Sequence, residues 1–308
     1  IKPCICSHNA CFTMARYEGS ANDQDLMDAI HMARCALNPR TMQTKKYRIQ
    51  KTDNPKRIAV IGGGIGGMES AMVLAARGHK VDLYEKSDRL GGVFIAAAAP
   101  SYKEKDRELI EWYRREIAKR DITVHMNTEV TDVTSLGADE VVVATGSVSK
   151  KPPIPGLENA MEATEYLYGR ETGEKVVIIG GGLTGCEIAY DLILKGKQPV
   201  IVEMKNDLIA VRGVCLANSS FLRETLALHK APVYLETTAQ EIRPDGVTLK
   251  DKDGKIFDVA CDIVVVCTGY APQPVAPASR HVHLVGDANT VGNLRTVIWR
   301  AWDVCMKL

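Results

Sequence analysis

The stretch "RIAVIGGGIGGMESAMVLAARGHKVDLYEK", residues 57–86, decides the fold. Its apolar, β-branched run at 58–61 predicts a buried parallel strand, and glycines 62, 64 and 67 follow in G-x-G-x-x-G spacing. A helix is predicted over 68–77, closed by Gly78, and a second strand over 80–84 delivers Glu85. Each part has a physical task. Gly62 makes the tight turn, Gly64 lets backbone approach a pyrophosphate, and Gly67 lets helix and strand pack closely. The free N–H groups at the helix start then face phosphate. Glu85 stands 18 positions after Gly67, where a carboxylate would accept hydrogen bonds from the ribose hydroxyls of an adenosine.

The pattern returns in "KVVIIGGGLTGCEIAYDLILKGKQPVIVEM", residues 175–204. Gly180, Gly182 and Gly185 follow a predicted strand at 176–179, and Glu203 closes the next strand 18 positions after Gly185. Two such units imply two dinucleotides. A carboxylate beside the ribose accepts from free hydroxyls and repels a 2′-phosphate, so the second site is expected to take NADH rather than NADPH. Lys205 and Arg212 are the nearby cations that could reverse that choice.

Shorter motifs lie around these two. "EKSDRLGG" (85–92) ends in a glycine pair; "VVVATG" (141–146) and "VVVCTG" (264–269) are strands running into turns; "VHLVGDA" (282–288) is a strand followed by Gly286 and Asp287, then a predicted helix over 294–306. Residues 103–120 read as a charged helix whose Leu109, Ile110, Tyr113 and Ile117 form a core stripe. A hairpin is predicted in "GVTLKDKDGKIFDVA" (246–260), with Asp253–Gly254 at its turn.

Charge excludes other classes. Lysine plus arginine number 39 against 38 for aspartate plus glutamate, so no field of one sign recruits nucleic acid or an anionic membrane. No apolar run is long enough to cross a bilayer. The start carries no basic-then-apolar leader, and nine cysteines is an odd number, so a reducing, cytoplasmic compartment is expected rather than a secreted disulfide framework.

Taken in order, the motifs of residues 56–308 resemble the FAD and NAD(P)H domains of the flavoprotein disulfide reductase superfamily. The resemblance implies an α/β fold with two Rossmann-like dinucleotide-binding domains. It also implies that Gly62, Gly64, Gly67, Glu85, Gly92, Gly146, Gly286 and Asp287 contact FAD, and that Gly180, Gly182, Gly185 and Glu203 hold NADH. Hydride transfer between those cofactors requires stacking and orientation, so no acid or base residue is nominated as catalytic. The redox cysteine pair of a disulfide reductase is absent: Cys186, Cys215, Cys261, Cys267 and Cys305 form no C-x-x-C or C-x4-C pair, and Cys261 and Cys267 read as buried small residues.

The remaining cysteines stand in "PCICSHNAC" (3–11), with Cys35 opening "CALNP". This segment resembles the one that joins barrel and flavin domains in multidomain old-yellow-enzyme-type reductases, among them 2-enoate reductases, 2,4-dienoyl-CoA reductase and trimethylamine dehydrogenase. The resemblance implies a 4Fe–4S cluster on Cys4, Cys6, Cys11 and Cys35. Cys6 departs from the family spacing, which puts the second ligand where Ser7 stands. The interval from Cys11 to Cys35 is longer than in the family and contains a predicted helix over 23–34. His8 reads as a solvated loop residue.

The expected organisation is a cysteine segment and linker at 1–55, the FAD domain in two parts at 56–155 and 270–308, and the NAD(H) domain at 156–269. The chain opens on "IKPC" without methionine, and the resemblance implies an FMN-binding (β/α)8 barrel, in cis or as a partner subunit, that carries FMN and substrate. The expected function is an electron-input module moving hydride from NADH to FAD, and electrons through the cluster to a barrel that reduces an activated C=C bond. Two alternatives are a non-redox module binding ADP in the FAD place and a free-standing NADH oxidase or diaphorase.

Overall fold

The computed structural model describes residues 1–11, 33–210 and 214–308. The predicted helix over 23–34 falls mostly outside the described residues, as does Arg212. The chain divides into two compact units, one of Ile1–Ala98, Lys103–Val148 and Tyr270–Leu308, the other of Ala99–Tyr102 and Ser149–Gly269. No helix among the described residues is long and apolar enough to cross a membrane.

In the first unit five parallel strands lie in the order Val282–Leu284, Glu140–Val143, Arg57–Ile61, Lys80–Tyr84, Ile122–His125. The central strand is buried on both faces, which is why its sequence is a continuous apolar run rather than an alternating one. Ile58 and Val60 face one core with Met68, Leu74, Leu109, Tyr113 and Ile298. Ala59 and Ile61 face another with Val141, Val143 and Ala288. Helix Ile65–Ala76 is buried along most of its length, and helix Glu104–Ala118 buries Leu109, Ile110, Tyr113 and Ile117, the four positions of the predicted stripe.

The second unit repeats the plan. Its parallel sheet runs Ala160–Glu162, Ile263–Val266, Lys175–Ile179, Gln198–Val202, Val233–Tyr234, and a three-stranded antiparallel sheet of Thr238–Arg243, Gly246–Lys250 and Ile256–Ala260 adds the hairpin, with Gly254 at positive φ in its turn. Ala99–Tyr102 groups with this unit: the Tyr102 hydroxyl donates to the Glu187 carbonyl at 2.9 Å and its ring lies 4.8 Å from that of Tyr190.

The segment 1–55, set apart on sequence, is in its described parts built into the first unit's core. Leu37 and Tyr47 are buried in the main cluster and Ile5 packs against it. Lys2 Nζ pairs with the buried Glu69 carboxylate at 2.8 Å and donates to the Leu37 carbonyl at 2.9 Å. Glu69 also accepts from the Tyr113 hydroxyl and from Trp302 Nε1, each at 2.6 Å. Trp299 Nε1 donates to the Cys35 carbonyl at 3.0 Å, and the Tyr47 hydroxyl donates to Asp303 at 2.7 Å. A buried carboxylate with three donors is costly to delete, because its partners are left without an acceptor. Glu69→Ala is expected to lower unfolding free energy by about 3 kcal/mol, read by denaturant titration followed by circular dichroism; a change within the error of the titration would deny the pair its structural role.

At the amino ends of the first sheet, Glu140 is nearly buried and bonded by Lys56 Nζ at 2.7 Å, His283 Nε2 at 2.9 Å and His281 Nδ1 at 3.4 Å. Burial alone would push its carboxyl up, but these hydrogen bonds outweigh it and bring the pKa down to about 2. The stability it contributes is therefore present above the ordinary carboxylate range and lost as pH falls from about 4.5 toward 2. Glu140→Gln is expected to be less stable than the wild type at neutral pH, with the gap narrowing across that window. A gap independent of pH in a series of urea titrations would refute this.

Candidate functional site

The first site is built at the carboxyl ends of the first unit's strands, where open α/β sheets bind ligands. Gly62 has φ +104°, and an added Cβ there would meet the Ala144 carbonyl oxygen at 2.5 Å. A Cβ on Gly67 would stand 1.8 Å from the Gly62 oxygen, so the helix rests directly on the turn. Gly64 caps the helix with no side-chain hydrogen bond, no acidic residue occupies the first turn, and the nearest atom to a Cβ there is Gly92 Cα at 3.9 Å. That leaves an open, electropositive helix start suited to a pyrophosphate.

Glu85 is buried and holds this loop as well as facing it. Its Oε2 accepts from Gly63 N at 2.7 Å, and its Oε1 accepts from Ser87 N at 2.8 Å and Ser87 Oγ at 2.7 Å. The sequence named Glu85 for a ribose but gave no sign of this second task. The following loop is fastened by Gly91 N to the Gly63 carbonyl at 2.9 Å, and by Arg114, whose Nε and Nη2 both donate to the Leu90 carbonyl at 2.9 and 2.6 Å. Arg114 lies on a helix whose outer face reads as ordinary solvated charge, so nothing in the sequence marks it. Gly92, at φ +56°, comes within 3.0 Å of Gly64 Cα when given a Cβ.

The shorter motifs converge on the same edge. Gly146, at φ +78°, has nothing within 4 Å of an added Cβ. Ser147 Oγ donates to Asp287 Oδ2 at 3.3 Å, and Gly292 N donates to Asp287 Oδ1 at 3.0 Å. Burial pushes the Asp287 carboxyl up, against the pull of those two donors. Polyol hydroxyls supply further donors to such a group.

The second unit reproduces the site nearly atom for atom. A Cβ on Gly180 would meet the Cys267 oxygen at 2.5 Å, one on Gly185 would meet the Gly180 oxygen at 1.9 Å, and Gly182 has nothing within 4 Å. Glu203 Oε2 accepts from Gly181 N at 2.7 Å and its Oε1 from Lys205 N at 2.8 Å. The Lys205 ammonium is engaged with the Ala210 carbonyl at 3.2 Å.

The chain's similarity to known proteins follows this geometry. Residues 34–138 and 131–290 match the sequence family described as pyridine nucleotide-disulphide oxidoreductase. The chain belongs to that family. It is 34% identical over 317 residues to a cinnamate reductase of Clostridium sporogenes, covering 100% of this chain and 46% of that protein. It is 31% identical over 293 residues to an NADH oxidase of Thermoanaerobacter brockii, covering 89% of this chain and 44% of that one. A solved 2-naphthoyl-CoA reductase complex superposes with a TM-score of 0.82 at 28% identity, over 91% of this chain and 44% of that one. The thioredoxin reductase of T. acidophilum, at 20% identity and a TM-score of 0.64, shares the fold over 83% of this chain and 98% of its own. The chain thus spans about half the length of the curated relatives it matches.

The family implies FAD and NAD(P)H, and both cradles fit. Gly62, Gly64, Gly67, Glu85, Gly92, Gly146, Gly286 and Asp287 stand together at the first, and Gly180, Gly182, Gly185 and Glu203 at the second. The 4Fe–4S set fits less well. Cys4, Cys6 and Cys11 are exposed and Cys35 is half-buried, all as free thiols. Among the described residues no three histidine, cysteine, aspartate or glutamate side chains are gathered to hold a metal ion. Cys6 N donates to Cys4 Sγ at 3.3 Å, while the Cys11 and Cys35 segments are joined through Arg34 N to the Ala10 carbonyl at 3.1 Å. Among the other cysteines, burial pushes the thiols of Cys186, Cys267 and Cys305 up to about 12, with Cys186 adding to the rise at Cys267, far from a reactive thiolate.

Proposed function

We propose that the chain is the NADH-to-FAD electron-input part of a larger flavin oxidoreductase. The observation that carries this reading is the duplicated site: two units with the same glycine turn and the same buried glutamate bonded to the middle glycine's N–H. FAD would supply a two-electron acceptor and NADH the hydride. The protein binds each pyrophosphate at a helix start, fixes each ribose with a carboxylate, and at the first site presents Asp287 to the polyol chain. At the second site Glu203, with Lys205 held on a carbonyl, favours a free ribose 2′-hydroxyl and hence NADH.

The electron acceptor belongs to the remainder of the enzyme. The part of cinnamate reductase that this chain does not cover supports a further domain, in cis or as a partner subunit; an FMN-binding barrel there would reduce an activated C=C bond. Passage through a 4Fe–4S cluster is left out of this reading, because the four sulfurs are not gathered. Its similarity to an NADH oxidase supports a second reading, direct reoxidation of the flavin by oxygen.

An anaerobic visible titration with NADH tests the proposal. The purified protein is expected to be yellow and to bleach with one equivalent of NADH. A colourless protein would overturn it in favour of a nucleotide-binding module. Fast recolouring on admission of air, at the rate of steady NADH consumption, would favour the oxidase.

A further inference from the structure

The second unit carries a cavity at the end of its parallel sheet away from the glycine turn. Its volume is about 510 Å³, within the range of small-molecule sites. It opens where strands Lys175–Ile179 and Gln198–Val202 begin, and Cys261, just ahead of strand Ile263–Val266, is buried at its edge. Gly180 and Glu203 stand at the opposite ends of those strands, about 15 Å of extended chain away. An occupant of the cavity would therefore not touch a dinucleotide at the turn. Lys175, Lys197 and Lys230 line it together with His229, and no carboxylate does. These lysines are scattered in the sequence, in a chain whose formal net charge is only +1, so only the fold gathers them. Lysines at the carboxyl ends of helices commonly answer the helix dipole, which suffices for Lys230, just past helix Leu216–Leu228. It does not account for Lys175, which heads a strand, nor for Lys197, whose Nζ donates to the Thr172 carbonyl and Oγ1, each at 2.7 Å. The carboxylates next to the lining are turned onto other partners. Glu174 accepts from Gln198 Nε2 at 3.2 Å, and Asp262 accepts from Lys175 N at 2.8 Å. The Lys175 and Lys230 side chains are exposed and have no ion-pair partner among the described residues. Half-buried Ile193, Val200 and Ala231 add an apolar wall.

We propose that this cavity binds a polyphosphate group, free or carried by a nucleoside. Three ammonium groups around one concavity suit a ligand with several negative charges close together, because each lysine can serve a different phosphate as a point charge. A single carboxylate or sulfate would engage only part of the set. The apolar wall gives a nucleoside ring a surface to lie on, so a nucleotide gains contacts that a bare phosphate chain does not. The site is separate from both glycine turns and binds through side chains, whereas the turns bind through backbone N–H groups at helix starts.

Calorimetric titration of the full chain tests this, with inorganic tripolyphosphate and ATP as the two probes, at low ionic strength and with saturating NAD⁺ present throughout. The expected result is saturable binding at one site per chain. Lys175→Gln and Lys230→Gln should each weaken it about tenfold, since each removes one charge-assisted contact. The triple variant that adds Lys197→Gln should abolish it. Both single changes are at exposed positions, so the variants are expected to fold, and an unchanged circular dichroism spectrum checks this. Tighter binding of ATP than of tripolyphosphate would assign the ligand as a nucleotide, and equal binding would assign it as the phosphate chain alone. Three results would overturn the proposal: no saturable binding of either probe, binding retained at full strength in the Lys175→Gln/Lys230→Gln double variant, or binding seen only when NAD⁺ is left out. The last would place the probe in a glycine turn.

Discussion

Gly185→Ala is expected to give a protein that keeps its flavin but that NADH bleaches at least about 100-fold more slowly, as measured by anaerobic stopped flow. Gly67→Ala, the matching change in the other unit, is expected to lose the flavin itself. The reason is the same in both. The new Cβ would fall 1.9 Å from the Gly180 oxygen in one case and 1.8 Å from the Gly62 oxygen in the other. Both obstacles are backbone, so no rotamer relieves them and the helix must back away from its turn. Overpacking of this kind costs about 1–3 kcal/mol of stability by itself. It also pulls the helix N–H groups off the pyrophosphate, which is the larger functional effect. Since each clash is internal to one unit, the two variants should separate the two losses. A Gly185→Ala protein reduced at the wild-type rate would mean that the turn-to-helix contact does not position the nicotinamide cofactor.

The second large effect concerns which nicotinamide cofactor is used. A 2′-phosphate brought close to the Glu203 carboxylate meets a like charge at a largely buried position, a repulsion on the order of 2 kcal/mol, or about thirtyfold in binding. Wild-type kcat/KM is therefore expected to favour NADH over NADPH by at least that ratio. Glu203→Gln removes the charge while keeping an amide oxygen for the Gly181 N–H, which donates at 2.7 Å. It should close most of the gap by improving NADPH rather than by damaging NADH. Equal use of the two cofactors by the unmodified protein would show that Glu203 does not set the choice.

The two dinucleotide sites were legible because their physics is local: a turn, a helix start and an acid 18 positions on are all within one strand–helix–strand unit. Helix Glu104–Ala118 was legible for a similar reason, its buried residues following the helical period. What escaped was non-local. Lys2 and Glu69 are 67 positions apart, and Leu37 and Tyr47 enter the core singly, without a period to announce them. Hence the segment 1–55 reads as separate and folds, where described, as part of the flavin unit. Ala99–Tyr102 shows the same limit, since its place with the second unit rests on one tyrosine. The two hydrogen bonds from Arg114 to the Leu90 carbonyl were invisible because an arginine on a charged helix face looks alike whether it is solvated or engaged. At the cysteines, the resemblance implied a four-sulfur set from which Cys6 already departed in spacing; in the structure Cys6 takes positive φ, and no three such side chains are gathered among the described residues.

All three tryptophans lie in the first unit, Trp299 and Trp302 bonded to Cys35 and Glu69, and Trp112 with the Lys2 ammonium 5.0 Å above its ring. The second unit has none. Intrinsic tryptophan emission therefore watches the flavin half alone, and a bound isoalloxazine would quench it by energy transfer. Melting of the nicotinamide half has no tryptophan of its own to report it, and only tyrosine light or a tryptophan engineered into that half would record it.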